Sequence, residues 1–234
     1  MKLIHTPADQ RYAVRQDWLD SKWHFSFDHY YDPANVSFGA LRVFNDDRVA
    51  PASGFDTHPH REMEIVTILL EGELEHRDTT GGHSLMRAGD VQRMTAGTGL
   101  AHSEKNPHPS QPDHLLQIWV LPKTARLTPG YEQKSFPRDG RLGRLQRIVT
   151  EKPTEGELTI HQDADFYLGA LNAQQHVTFS PRPGRRQYLF VIEGGVTVND
   201  RALNTNDQGR ITGAEKLDLV AGSAGTDLLL IDLG

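Results

Sequence analysis

The chain reads as an all-β protein, a β-sandwich or jelly-roll barrel, with one fold used twice. Short strands recur at regular spacing with turn signals between them. No long amphipathic helical pattern competes with them. The two halves also echo each other. Thr67-Ile68-Leu69-Leu70-Glu71-Gly72 matches Phe190-Val191-Ile192-Glu193-Gly194, each an apolar strand ending in Glu-Gly, and Asp207-Gln208-Gly209 stands roughly where Ala88-Gly89-Asp90 stands. A chain of 234 residues can supply two small cores, and the division falls at 1–134 and 135–234.

Along the first half, Trp23-His24-Phe25-Ser26-Phe27 alternates large rings and predicts a short strand with a buried aromatic face. Tyr31-Asp32-Pro33 predicts a turn. Phe38 to Asn45 predicts a strand ended by the acidic pair Asp46-Asp47. Ile65 to Leu70 is a continuous apolar run, which suits a strand buried on both faces. Further strands are predicted at Leu74–Asp78, His83–Met86, Val91–Met94 and Asp113–Pro122, with Thr79-Thr80-Gly81-Gly82 and Arg87-Ala88-Gly89-Asp90 as turns. The small-residue stretch Thr95–Ala101 reads as a loop.

Residues 122–145, rich in Pro, Arg and Lys, read as a connection between domains. Strands resume at Arg147–Thr150, Leu158–His161, Phe166–Leu171, His176–Phe179, Gln187–Ile192, Val196–Val198, Leu217–Val220 and Leu228–Ile231.

Composition narrows the function. There are no cysteines, so disulfides, thiolate metal sites and cysteine nucleophiles are excluded. A net charge of −6 argues against direct nucleic-acid binding. The N-terminus has no apolar stretch of signal-peptide length, and no run reaches membrane-spanning length. Cytoplasmic location is the default expectation.

The chemistry concentrates in two pairs, His58-Pro59-His60 and His102-Ser103-Glu104. On a strand, residues two apart share a face, so each pair presents two ligands on one side. Two such pairs on neighbouring strands would surround one point. Imidazole nitrogen with a carboxylate suits a divalent transition ion, whether iron, nickel, zinc, manganese or copper. Glu62 and Glu64 share the face of His58 and His60, so Glu64 competes with Glu104 as the carboxylate. The remaining histidines, His24, His29, His76, His83, His108, His114, His161 and His176, read as packing or solvent residues, and His5 as part of an unstructured start. The second half carries Arg182-Pro183-Gly184-Arg185-Arg186 where a His-x-His would stand.

These motifs resemble the cupin superfamily. The first cupin motif is matched by His58-x-His60-x-x-x-Glu64, with Gly72 one residue later than usual. The second is matched by Gly89 and Gly99-x-x-His102-x-x-x-Asn106, with Thr95 where the common pattern has proline. More closely, the chain resembles the pirin family, including the bacterial pirins described as quercetin 2,3-dioxygenases. The matching stretches run from His24-Phe25-Ser26-Phe27 through Asn45-Asp46-Asp47 and Thr57–Glu64 to Ala96–Gly99 and His102–Asn106. In the second half, His161-Gln162-Asp163 with Tyr167 fits as well.

The resemblance implies two tandem cupin domains (double-stranded β-helix jelly rolls). The first, 1–134, would hold the metal, and the second, 135–234, would be degenerate and hold none. It implies the ligands His58, His60, His102 and Glu104, which sets Glu64 aside, and Fe(II) as the first choice of ion, with Ni, Zn, Mn, Co or Cu also accommodated. It implies a dioxygenase that opens flavonols such as quercetin with O2 and releases carbon monoxide, with Glu104 as the catalytic base. Trp23, Phe25 and Phe55 would wall the pocket, and the Thr95–Ala101 loop would bring backbone close to the site. The alternative it offers is a metal-bearing regulatory protein that acts through a protein partner.

Overall fold

The computed structural model describes residues 1–234. Named in chain order, the strands of the first half are β1 Lys2–Thr6, β2 Tyr12–Arg15, β3 Leu19–Trp23, β4 Leu41–Val49, β5 Gly54–His60, β6 Glu64–Glu71, β7 Glu73–Asp78, β8 His83–Arg87, β9 Asp90–Thr95, β10 Leu100–Lys105, β11 Asp113–Val120 and β12 Gly130–Ser135. The second half adds β13 Leu145–Thr150, β14 Leu158–Thr159, β15 Ala164–Leu171, β16 His176–Phe179, β17 Arg186–Val198, β18 Arg201–Asn204, β19 Gln208–Thr212 and β20 Leu217–Leu233. The only helical segments are two 3-10 turns, Ala8–Gln10 and Arg138–Arg141. No helix is long and apolar enough to cross a membrane.

The chain forms two compact units, and they interleave in sequence. One holds Tyr12–Phe136 and Leu158–Gln162; the other holds Met1–Arg11, Pro137–Glu157 and Asp163–Gly234. The start of the chain is therefore structured, contrary to the expectation for His5. Strand β1 pairs antiparallel with β19, and His5 Nε2 lies 2.8 Å from Asp207 Oδ2.

In the unit built on 12–136, seven strands form a sheet in the order β12-β9-β6-β11-β4-β3-β2, and four form a second sheet, β5-β10-β7-β8. A core of Leu19, Val49, Leu69 and Leu115 from the larger sheet packs with Leu74 and Met86 from the smaller one, flanked by Trp18 and Phe55. Fully burying each such side chain contributes roughly 1.5–3 kcal/mol. The apolar run of β6 is buried from Glu64 through Leu69, between β9 and β11, as its composition predicts. Gly72 joins β6 to β7 with φ of +83°, and a Cβ there would sit 2.9 Å from Asp113 Cα, so a left-handed residue without a side chain is required.

Several predicted strands are displaced. The aromatic segment does not form a strand from Trp23 to Phe27, because β3 ends at Trp23. Asp46 and Asp47 do not end their strand but lie inside β4, because each carboxylate has a partner. His114 Nε2 donates to Asp46 Oδ1 at 2.6 Å, and the Ser21 hydroxyl donates to Asp47. Residues 122–145 are not purely a connection, since Gly130–Ser135 pairs with β9 along its length. The loop glycine Gly97 is required by a carbonyl outside the site, because a Cβ on it would meet Leu127 O at 1.9 Å.

In the other unit, the sheet runs β1-β19-β17-β20-β15-β13, with β16 added on β20 and β18 on β17. Two long strands, β17 of 13 residues and β20 of 17, each span what the sequence presents as two strands. Register shifts between Val191 and Glu193 and between Gly194 and Val196 let β17 bend past its Glu-Gly without ending. Its core gathers Leu189, Val191, Val196, Leu203, Leu217 and Leu228 with their neighbours.

Gly54 opens β5 with φ of +143°, and a Cβ there would lie 2.3 Å from the backbone oxygen of Glu104. Gly54→Ala is expected to cost roughly 1–3 kcal/mol of stability, measured by urea denaturation. An unchanged midpoint would contradict so close an approach of β5 to β10.

Candidate metal centre

Strands β5 and β10 pair antiparallel with His102 opposite His58, and a bulge falls between His102 and Glu104. The pairing that alternation predicts is therefore present, with the bulge re-aiming the second member of the pair. The rings of His58, His60 and His102 form a triangle with centroids 4.8, 4.6 and 4.8 Å apart. One ligand atom from each lies within 4.8 Å of the others. Glu104 joins through His102, in a second buried grouping of the same tightness with His76. Sequence reasoning missed His76. Its signal was its place on β7, the other neighbour of β10, where it pairs in register with Glu104.

The hydrogen bonds orient the imidazoles. His58 Nδ1 lies 2.7 Å from the Asp56 carbonyl, so it donates there and leaves Nε2 as the free lone pair. Behind His102 runs a chain of three groups. His76 Nε2 is 3.0 Å from Asp78 Oδ2, and both side chains are closed to solvent. His76 Nδ1 is 3.4 Å from His102 Nδ1. One assignment satisfies both contacts. Asp78 accepts from His76, and His76 accepts from His102 Nδ1, which makes His102 Nε2 a lone-pair atom. That Nε2 is buried and has no hydrogen-bond partner in the protein.

Electrostatics keeps these rings ready for a cation. Burial, reinforced by His102 and His58, lowers the pKa of His60 to about 4. Burial, with His58 and His76, lowers that of His102 to about 3. Both are neutral near pH 7, as a metal ligand must be. Asp78 is held at about 2 although burial opposes it, by hydrogen bonds from Thr80, His76 and Gly82. Burial raises the pKa of Glu104. Gln117 Nε2 donates to Glu104 Oε2 at 2.7 Å, and the Thr67 hydroxyl, 2.9 Å from Gln117 Oε1, holds the amide in that orientation.

Glu64, the competing carboxylate, is fully buried elsewhere. Its Oε2 accepts from His161 N at 3.1 Å and from the Thr95 hydroxyl at 3.2 Å, with His161 Nδ1 also at 3.2 Å. It belongs to neither ligand grouping. This also gives His161, read as a packing or solvent residue, a buried carboxylate partner.

Above the triangle opens a cavity of about 440 Å³. Trp23 and Phe55 line it as expected, together with Trp18, Phe27 and Trp119. Phe25 does not line it; at 1% exposure it belongs to the core. His58, His60, Glu104 and Gln117 face the same space. The donor set is nitrogen and oxygen, and the unpartnered buried Nε2 of His102 fits a divalent ion.

Two family models match the chain, Pirin over residues 6–120 and the quercetinase C-terminal cupin domain over residues 147–233. A quercetin 2,3-dioxygenase of Escherichia coli strain K12 is 40% identical over 227 residues, 97% of this chain and 96% of that protein. Among solved structures, YhhW from Escherichia coli superposes with a TM-score of 0.95 at 37% identity, covering 100% of this chain and 98% of that one. A bacterial pirin YhhW in complex with nickel(II) gives 0.94 at 38% identity, covering 99% of both chains.

The cavity floor carries a pH signature of its own. Burial raises Asp47, normally 3.8, to about 7, with Asp46 and Glu104 adding to the effect. A carboxyl raised on folding contributes stability that is complete below its unfolded value and is lost as pH rises toward the folded one. The lowered His60 and His102 act oppositely: their contribution is complete above their ordinary value of 6.5 and is lost as pH falls toward about 4 and 3. Asp47→Asn removes only the first effect. In metal-free protein it is expected to gain about 2–4 kcal/mol over wild type between pH 4 and pH 8. Urea unfolding at the two pH values checks this, and a pH-independent difference would refute it.

Proposed function

The chain belongs to the pirin family, and we propose that it is a metal-dependent dioxygenase that cleaves flavonols such as quercetin with O2 and releases carbon monoxide. The observation that carries this reading is the unpartnered Nε2 of His102, grouped with His58 and His60 below an aromatic-walled cavity. The full-length likeness to a protein named quercetin 2,3-dioxygenase supports the substrate class.

His58, His60, His102 and Glu104 would hold one divalent ion in the N-terminal domain, with Fe(II) as the first choice and nickel, zinc, manganese, cobalt or copper accommodated by the same donors. When bound, such an ion supplies a Lewis acid that acidifies a substrate hydroxyl. The chain does the rest. Trp18, Trp23, Phe55 and Trp119 give a planar polycyclic molecule apolar faces to lie against and exclude water from it. Glu104, buried and with its pKa raised, is the base that takes the hydroxyl proton. Gln117 donates to Oε2 at 2.7 Å, while Oε1 has the Thr67 hydroxyl at 3.4 Å, a group that also lies 2.9 Å from Gln117 Oε1, so the Oε1 of Glu104 is the oxygen freer to receive that proton. Asp78 and His76 orient His102 from behind.

Reconstituted protein given quercetin and O2 is expected to release carbon monoxide in step with oxygen uptake, and His58→Ala or a chelator to abolish it. Turnover by His58→Ala equal to wild type would sink the ion's role. Absence of turnover from the pure chain with every candidate ion would favour the regulatory reading. His76→Phe is expected to weaken divalent-ion binding by about 10–100-fold, read by competition with a chromogenic chelator. Unchanged affinity would show that the chain behind His102 does not position it.

A further inference from the structure

The floor of the cavity holds polar groups that the ion does not use. On β3 and β4, Ser21 pairs in register with Asp47 and Trp23 with Asn45, and across β4 and β11 Asn45 pairs with Gln117. All five side chains line the cavity. Ser21, Asn45 and Asp47 are 0, 5 and 2% exposed, so this is a polar patch set into the barrel and not a solvated rim. The Ser21 hydroxyl donates to Asp47 Oδ1, which fixes that carboxyl.

Two residues that line this cavity each carry a buried polar atom with no partner in the protein. Asn45 Oδ1 is one, and the indole nitrogen of Trp119 is the other. Trp119 lies two residues from Gln117 on β11, so it shares that face and stands diagonal to Asn45. An acceptor and a donor are thus left unsatisfied on diagonal neighbours of one sheet face. Leaving such groups unpaired costs about 1–3 kcal/mol each, and a ligand that pairs them recovers that cost.

We propose that Asn45, Asp47 and Trp119 form a second recognition station, which binds an additional hydroxyl of a polyhydroxylated aromatic ligand, apart from the oxygens directed to the ion. A hydroxyl both donates and accepts, so it can satisfy Asn45 Oδ1 and the Trp119 N–H together. Asp47, anchored by Ser21, meets a neighbouring hydroxyl. The station rests on the flavonol reading above and adds to it a preference: flavonols with several hydroxyls over the same skeleton bearing one.

All three tryptophans of the chain, Trp18, Trp23 and Trp119, line the cavity, so intrinsic fluorescence reports its occupancy. The test titrates anaerobic, ion-loaded protein, and in parallel the metal-free protein, with quercetin and with 3-hydroxyflavone, which lacks every hydroxyl but one. Wild type is expected to favour quercetin by about tenfold or more, since a site built to bond a hydroxyl rejects the analogue without it. In Asn45→Leu, which keeps the volume and removes the acceptor, the ratio is expected to fall to near one, while 3-hydroxyflavone affinity stays within a few-fold. Equal affinities in wild type, or a ratio undiminished in Asn45→Leu, overturn the station. The wild-type comparison stands even where a variant fails to fold. A preserved binding preference without carbon monoxide release would sink the dioxygenase reading alone. Release of carbon monoxide with no preference would sink the station alone.

Discussion

The pairing of β5 with β10 is the constraint on which the candidate site depends. It sets His58 opposite His102 in register. A slip of one residue would turn every side chain of one strand to the other face and scatter the triangle. Several unrelated features maintain this register. Gly54 has no side chain to keep the Glu104 carbonyl away. Lys105 Nζ reaches back to the Gly54 carbonyl at 3.2 Å and to Asp56 Oδ1 at 2.6 Å. Asn106, just past β10, donates to the carbonyls of Val49, Ala50 and Gln111, at 3.2, 3.3 and 2.9 Å. The exposed Lys105–Asp56 pair contributes little by itself. The buried amide, which donates to three carbonyls, fixes where β10 ends.

Much of this was legible in the sequence because it follows from period-two alternation. His58 with His60, and His102 with Glu104, announce a shared face before any coordinates. What alternation does not carry is identity across strands. Nothing near His76 in the chain marks it as the neighbour of His102. That relation exists only once β7 pairs with β10, between residues 26 positions apart. Glu64 fails in the opposite direction. Its spacing from His60 is right for a ligand, yet the turn between β5 and β6 carries it to Thr95 and His161. Glu62, with φ of +51°, lies in that turn and breaks the alternation. Aspartates 46 and 47 depart from the expectation that adjacent carboxylates end a strand. Here Ser21 and His114 each supply a donor, and two acids become strand interior.

The second half shows the reverse economy. Its Arg182–Arg186 segment stands where the first half has His-x-His. It delivers Arg185, which is buried and ion-paired with Asp232 and, at 2.6 Å, with Asp163. Arg182 adds a pair to Asp163 at 2.9 Å. Gln187 Nε2 donates to Asp232 at 2.8 Å, so the acid there is multiply bonded. A fixed guanidinium answers those carboxylates with donors covalently attached to the chain. Removing one partner from such a buried pair leaves an uncompensated charge, which is why the set is expected to change only as a unit.

In the first half the buried Arg93 pairs with Glu132 and not with the acids around the cavity. Burial raises Glu104, Asp47 and Asp113, the last two each to about 7, and repulsion from Glu104 adds to the shift of both of those. The neighbouring rings of His60 and His102 are held neutral by the same burial and supply no positive charge near pH 7. The result is a pocket of neutral nitrogens and reluctant carboxyls, whose charge balance at neutral pH favours a cation from outside. A divalent ion held by His58, His60 and His102 would invert the local electrostatics. It would favour the ionised form of Glu104 and, at longer range, of Asp47, while neutral imidazoles would lose nothing by holding it. The arrangement that destabilises its own carboxylates is therefore also the one that gives an incoming cation most to gain.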